Sequence, residues 1–323
     1  MNYLQTESAY SAIKSAIFGH AVGDALGVPV EFVPRERLRG SPVTNILGFG
    51  SHNVPAGTWS DDTSMTLCTL ESLTKTGKID LNDIMCRFSM WGDSGYMTPH
   101  GKAFGIGRTT LRSIVKYNRG HSVDKCGGCL ESDNGNGSLM RILPVILYQN
   151  FAAGCDIYGA AQVEEIHAVS ALTHAHPRSM TACGIYAFII NELLRKSSAD
   201  SIERGIEAAK CYYANHLEYS SFFRIFNIEL RAMDMSEIKS SGYVVDTLEA
   251  AVWCALTTES YQSCVLKAVN LGDDTDTIAA VAGGLAGLLY GYDNIPSYWL
   301  STIALHEKLD AMCMEAAVQW TEK

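Results

Sequence analysis

Strand signals are nearly absent from this chain: the alternation of apolar and polar residues that marks a half-buried strand is hardly found. Basic residues are in deficit, 25 Lys and Arg against 35 Asp and Glu, for a formal charge of −10. With no basic stripe to displace counterions from a phosphate backbone, general nucleic-acid binding is not expected. Long hydrophobic runs are missing too. The longest, residues 278–290, is too short and too rich in glycine and alanine to cross a bilayer, so no membrane partner is expected. Residues 1–10 lack the basic start and unbroken apolar core of a secretion signal, which points to a cytoplasmic protein. The 10 cysteines are scattered. Cys68, Cys183 and Cys254 sit in apolar periodic stretches and read as small hydrophobes. Cys126-Gly127-Gly128-Cys129 has no second pair at zinc spacing and reads as a flexible loop.

What the chain does contain is helical periodicity. Its apolar runs are rich in Ala, Leu and Met at 3.6-residue spacing, and 47% of residues are hydrophobic against 19% charged. The expectation is an all-α fold, a single compact domain over residues 1–323, since no linker breaks the composition. A monomer is expected. Residues 11–25 read as a helix with thin faces at Gly19, Gly23 and Gly27, ended near Pro29. Glu31 then falls on the following turn between Val30, Phe32 and Val33, where a carboxylate is either paired or functional. Residues 35–56 read as a long loop. Further helices are expected at 65–73, 81–91, 109–117, 140–148, 161–172, 179–194, 201–215 and 219–232. Another is expected at 247–257 with Asp246 as its N-cap, and the tail 303–319 is amphipathic.

Two stretches carry more oxygen than helix capping needs. Asp273-Asp274-Thr275-Asp276-Thr277 opens the apolar run at 278, and Ser60-Asp61-Asp62-Thr63 opens another at 65. One Asp or Thr satisfies the free N–H groups of a first turn. Several carboxylates together repel unless a positive charge sits between them, so the two starts read as halves of one site. Their hard oxygens suit Mg²⁺, Mn²⁺ or Ca²⁺. The alternative is two over-capped surface helices. Asp133-Asn134-Gly135-Asn136-Gly137-Ser138 crowds backbone N–H groups as a diphosphate cradle does, although a plain turn has the same composition. His174 and His176 are two apart in a turn and do not share a helical face, which argues against a paired metal site. A structural and a ligand-contacting role both stay open for His174.

With these residues in place, the chain resembles the ADP-ribosylglycohydrolase family. The resemblance runs nearly end to end. It is carried by Gly19-His20-Ala21-Val22-Gly23-Asp24-Ala25-Leu26-Gly27 with Glu31, Ser60-Asp61-Asp62-Thr63, Gly135-Asn136-Gly137-Ser138-Leu139-Met140-Arg141 and Thr173-His174. Gly242-Tyr243-Val244-Val245-Asp246-Thr247-Leu248-Glu249-Ala250 and residues 272–277 complete it. The resemblance implies two divalent ions, Mg²⁺ or Mn²⁺, on Ser60, Asp61, Asp62, Asp274, Asp276 and Thr277. It implies catalytic duties for Glu31, Asp62 and Asp274, and a phosphate loop at Gly135, Asn136, Gly137 and Ser138. It also implies a ribose or phosphate contact at His174 and an adenine contact at Tyr243. The implied reaction removes ADP-ribose from a modified protein side chain, releasing free ADP-ribose, and an ADP-ribosylating toxin is a possible partner in an immunity role. The alternative is a non-catalytic protein that binds ADP-ribose or a partner, or acts structurally. One departure stands out: where relatives carry aspartate in a Phe-Asp-Ile-Gly stretch, this chain has Phe104-Gly105-Ile106-Gly107. The expectation is that this chain either uses Glu31 alone or differs in linkage or rate, and that Gly105→Asp shifts the preferred linkage without abolishing activity.

Overall fold

The computed structural model describes residues 3–152, 154 and 158–322. Among them no strand occurs, only isolated bridges at Phe49–Val54, Gly128–His174 and Gly135–Tyr243. The helices are α1 (Tyr3–Gly27), α2 (Arg35–Gly40), α3 (Asp61–Thr76), α4 (Leu81–Ser94), α5 (Arg108–Asn118), α6 (Leu143–Phe151), α7 (Ala160–Ala171) and α8 (Pro177–Arg195). They continue as α9 (Ala199–Tyr213), α10 (Phe223–Asn227), α11 (Val244–Leu256), α12 (Tyr261–Val269), α13 (Thr275–Tyr290), α14 (Ser297–Thr302) and α15 (His306–Thr321). The all-α expectation holds, and one contiguous apolar core runs between the helices.

The site is positioned by the pairing of α1 with α13, the most extensive helix contact in the fold. A Cβ at Gly19 would overlap the carbonyl oxygen of Gly283, and one at Gly23 that of Ala279. A Cβ at Gly27 would overlap the backbone of Asp276. Glycine therefore lets the two helices run antiparallel in backbone contact, a spacing that any larger residue would open. The end of α1 then meets the start of α13, where the Thr275 hydroxyl donates to the Gly27 carbonyl at 2.8 Å. Pro29 sits in a 3₁₀ turn, Val28–Val30, that ends α1 and turns the chain to present Glu31.

Several local expectations are corrected. Residues 219–232 are not one helix but two 3₁₀ turns, Tyr219–Phe222 and Leu230–Ala232, flanking the short α10. Tertiary contacts outweigh propensity there: Arg224 grips both carboxylate oxygens of Glu249 and the carbonyl of Glu237, drawing the segment across α11. Helix α11 begins earlier than expected, with Tyr243 rather than Asp246 at the N-cap, because the Val244 N–H is already taken by the Asn134 carbonyl at 3.1 Å. Asp246 instead accepts from the Ser241 hydroxyl at 2.6 Å. The 140–148 stretch starts as a 3₁₀ turn, Leu139–Arg141, before α6. The 35–56 stretch contains α2 and a 3₁₀ turn, Gly50–His52. The Cys126–Cys129 loop is anchored: Gly128 N–H donates to Thr173 and Ala175 N–H donates to Gly128.

Candidate active site

Helix α3 starts at Ser60, whose hydroxyl oxygen accepts from the Asp62 N–H at 3.3 Å and donates to Asp62 Oδ2 at 3.0 Å. Two further N–H groups of that start are met from another helix. Asp24 of α1 accepts from Ser60 N–H, Thr63 N–H and, at 2.7 Å, the Thr63 hydroxyl. Asp24 and Ser60 thus meet the N–H groups of Ser60, Asp62 and Thr63, so the Asp62 carboxylate is surplus to capping. At α13 the N-cap is Asp274, yet its side chain makes no capping bond. The over-capped-surface reading therefore fails on geometry as well as on burial, since Asp61, Asp62 and Asp276 are all buried. The Thr277 hydroxyl donates to Asp62 Oδ2 at 3.3 Å, which joins the two starts into one cluster.

A second wall comes from the glycine-containing loop before α6. Asn136 N–H donates to the Gly242 carbonyl at 3.1 Å, which staples the loop to the entry of α11. The Asn136 amide can then donate to Asp274 Oδ2 at 2.6 Å and to the Thr247 hydroxyl at 2.9 Å. The third wall is the turn after α1. Phe32 N–H donates to the Asp273 carbonyl at 2.6 Å, with Phe32 and Asp273 both at positive φ, 65° and 61°. Such backbone is costly for residues with a Cβ and is retained where the surroundings fix it. Arg35 does much of the fixing by donating to the carbonyls of Leu271, Met235 and Ile238. Glu31 is paired, as one of the two readings of its sequence context required: His52 Nε2 meets its Oε2, and the Ser51 hydroxyl donates to its carbonyl at 2.6 Å. The hydrogen bond to the Glu31 carboxylate raises the His52 pKa above its ordinary value.

Electrostatics show what this cluster lacks. Burial, then the charges of Asp24 and Glu31, pushes Asp61 well above the usual carboxylate range. Burial, with Asp24, Asp61 and Asp274, does the same to Asp62. Asp276 rises for the same reasons, burial first and then Glu31. Asp24 and Asp274 are each raised to about 6, chiefly by burial. Asp62 Oδ1 is buried with no hydrogen-bond partner. Glu31, Asp274 and Asp276 each offer an oxygen, all within 4.8 Å of one another. Repelling carboxylates, an orphaned oxygen and an all-oxygen donor set fit a hard divalent cation, so the cluster can hold a metal ion.

The cluster forms one end of a cleft of about 730 Å³, a volume suited to a ligand the size of a dinucleotide. Glu31, Asp61, Asp62, Asp274, Asp276 and Thr277 line it, as do Gly135, Asn136, Gly137 and His174. Three expected residues do not. Ser60 lies behind Asp62. Ser138 points into the core, accepting from Ser170 at 2.9 Å. Tyr243 is half-buried beside the cleft, its hydroxyl accepting from Arg178 at 3.1 Å. His176 caps α8 by accepting from Arg178 N–H, so the two histidines have separate roles. Asp24 and His52 support the cluster through these contacts, and the sequence alone assigns neither a role. Asp24 stood inside the glycine run, but nothing in sequence links His52 to Glu31.

Gly105 also lines the cleft, at φ 81°. A Cβ there would overlap Oδ1 of Asp61, and its backbone conformation disfavours any side chain. An aspartate at 105 would therefore strain the backbone and displace the Asp61 carboxylate.

Comparisons with known proteins agree with this geometry. A model of the ADP-ribosylglycohydrolase family matches residues 5–323. An ADP-ribosylarginine hydrolase Tri1 from Serratia proteamaculans is 33% identical over 92% of this chain and 76% of its own length. The ADP-ribosyl-[dinitrogen reductase] glycohydrolase of Rhodospirillum rubrum is 32% identical over 92% of this chain and 91% of its own. A solved structure described as an ADP-ribosylglycohydrolase-related protein complex superposes with a TM-score of 0.79 at 28% identity, covering 97% of this chain and 99% of that one. With the acidic cleft and the end-to-end match together, the chain belongs to the ADP-ribosylglycohydrolase family and is a glycosidic-bond hydrolase.

Proposed function

We propose that this enzyme removes ADP-ribose from ADP-ribosylated arginine side chains of a protein, using two divalent cations, Mg²⁺ or Mn²⁺. The observation that carries the reading is the convergence of carboxylates from two helix starts, with Asp62 Oδ1 unpartnered, on a cleft whose other wall is a glycine loop. The arginine linkage is favoured because the relatives named ADP-ribosylarginine hydrolase share about a third of the sequence, 33% and 31%.

Asp61, Asp62, Asp274, Asp276 and Thr277 would hold the ions, with Ser60 orienting Asp62 from behind. When bound, such ions supply positive charge that fixes ribose hydroxyls and lowers the cost of gathering anions around the reacting sugar. The chain's own residues do the rest. Gly135 and Gly137 would present backbone to the diphosphate, Asn136 between them steadies Asp274, and His174 lies beside the loop. Tyr243, half-buried beside the cleft, would offer its ring to the adenine. Glu31, anchored through His52, handles the proton as the bond from the anomeric carbon to the guanidino nitrogen breaks and water adds to that carbon. The products are unmodified arginine and free ADP-ribose.

The test is to incubate the protein with arginine-, serine- and base-linked ADP-ribose, with and without Mg²⁺ or Mn²⁺. Release from the arginine linkage alone, and only with the ion, is expected. Binding of ADP-ribose without release from any linkage would favour the non-catalytic alternative. Removing arginine-linked ADP-ribose would also make the enzyme an antidote to an ADP-ribosylating toxin. In co-expression, Asp274→Ala would lose protection if the antidote is catalytic and keep it if the protein plugs the toxin.

A further inference from the structure

Arg141 is fully buried, yet among the described residues no carboxylate pairs with it. Its Nε and Nη1 have no hydrogen-bond partner. The guanidinium carbon lies 4.5 Å from the Phe88 ring centre. Its one short hydrogen bond runs from Nη2 to the Thr173 hydroxyl oxygen at 2.8 Å, with a longer one to the Val169 carbonyl at 3.3 Å. The same Thr173 oxygen lies 2.8 Å from Nδ1 of His174.

Donor and acceptor roles in this row are fixed by chemistry. Burial lowers the Arg141 pKa to about 10, so it remains a cation at neutral pH and can only donate. The Thr173 oxygen therefore accepts from Arg141, and its hydroxyl hydrogen is free to donate to His174 Nδ1. Were Nδ1 to carry the proton, the hydroxyl hydrogen of the buried Thr173 would be left without an acceptor, a loss that buried groups rarely sustain. Burial, followed by the charge of Arg141, pushes the His174 pKa down to about 3, so the ring holds a single proton. That proton belongs on Nε2, which has no hydrogen-bond partner among the described residues. A Cβ at Gly135 would lie 3.6 Å from this nitrogen and one at Gly137 would lie 3.3 Å from it, so Nε2 faces the glycine loop at the cleft wall.

We infer that Arg141 and Thr173 are positioning residues that hold His174 with its proton on Nε2, so that the ring donates one N–H to an anionic oxygen of the substrate diphosphate. The ligand assignment rests on the proposed function, whereas the tautomer does not. An uncharged donor suits a position next to backbone N–H groups, because it adds a hydrogen bond without needing a counter-charge when the cleft is empty.

The experiment combines ¹⁵N–¹H spectra of the histidine rings in the ligand-free protein with calorimetric titration of ADP-ribose, for wild type, Thr173→Val and Thr173→Ser. The wild type should show His174 as the Nε2–H tautomer. Thr173→Val should shift it toward a mixture, weaken ADP-ribose binding by about tenfold or more, and raise KM far more than it lowers kcat. Thr173→Ser, which restores the hydroxyl, should return both the tautomer and the affinity. An Nδ1–H tautomer in the wild type overturns the inference, and so does wild-type affinity in a folded Thr173→Val. If the valine variant does not fold, the wild-type spectrum decides. A wild type in the Nε2–H form that does not bind ADP-ribose contradicts the proposed function instead.

Discussion

A Cβ at Gly105 would occupy the space that Oδ1 of Asp61 now fills, and the glycine's φ of 81° suits no other residue well. The absence of a side chain at 105 is thus part of how Asp61 is placed. Gly105→Ala or Gly105→Asp should weaken Mn²⁺ binding by roughly 10–100-fold, the usual cost of disturbing what supports a ligand. Titration calorimetry on the purified variants measures this, and wild-type affinity in Gly105→Asp would show that the loop yields and Asp61 stays.

Glu31 is the acid–base group of this account, and His52 is its anchor. Glu31→Gln should keep ADP-ribose binding and lose turnover by roughly 10²–10⁴-fold. His52→Asn should lower kcat by less, because the carboxylate remains but its orientation is freed. Equal rates in wild type and Glu31→Gln would assign the proton to another group.

Ion binding should release protons and strengthen with pH. Asp24 and Asp274 are raised to about 6 by burial in the ion-free protein. A carboxyl whose folded pKa exceeds its unfolded value contributes stability that is fully present below the unfolded pKa and is lost as pH rises through about 6. The ion-free fold therefore loses this contribution between about pH 4 and pH 6, and a divalent ion should restore it by neutralising the ionised forms. The rise in Tm on adding Mn²⁺ should accordingly be larger at about pH 7.5 than at about pH 5. A rise independent of pH would mean that the carboxylates are already ionised without the ion.

The α1–α13 contact can be tested apart from the chemistry. Gly23→Ala places a methyl group against the Ala279 carbonyl, and the helices must separate to admit it. Destabilisation of about 1–3 kcal/mol is expected from such overpacking, read as a lower urea midpoint. Because the same contact sets α13 against the turn that carries Glu31, Mn²⁺ affinity should fall as well. An unchanged midpoint would show that the crossing has slack.

Much of the cleft was legible in the sequence. Asp61, Asp62, Asp274, Asp276 and Thr277 stood out because helix starts do not need so many oxygens, and Asn136 because the glycines around it expose backbone. Glu31 stood out as a carboxylate among apolar neighbours. What could not be read depends on contacts between distant segments. His52 reaches Glu31 through a turn whose course is set by Gly50 packing on Pro29. Asp24 caps a helix other than its own. Ser138 and Tyr243 belong to the motifs, but neighbouring contacts turn the first into the core and hold the second against Arg178. The 219–232 segment has helical spacing yet is broken by Arg224 reaching α11, which no local pattern encodes.

The most direct test of the account is Mn²⁺ titration of chelator-treated protein alongside an assay of ADP-ribosyl-arginine hydrolysis, for wild type and Asp274→Ala. Asp274 offers one of the converging oxygens and also receives the Asn136 amide, so it links the acidic cluster to the glycine loop. The wild type should regain hydrolysis only as Mn²⁺ binds, while Asp274→Ala should keep its helical circular dichroism but neither bind the ion nor turn over. Full hydrolysis by the chelator-treated wild type, or by Asp274→Ala, would contradict it.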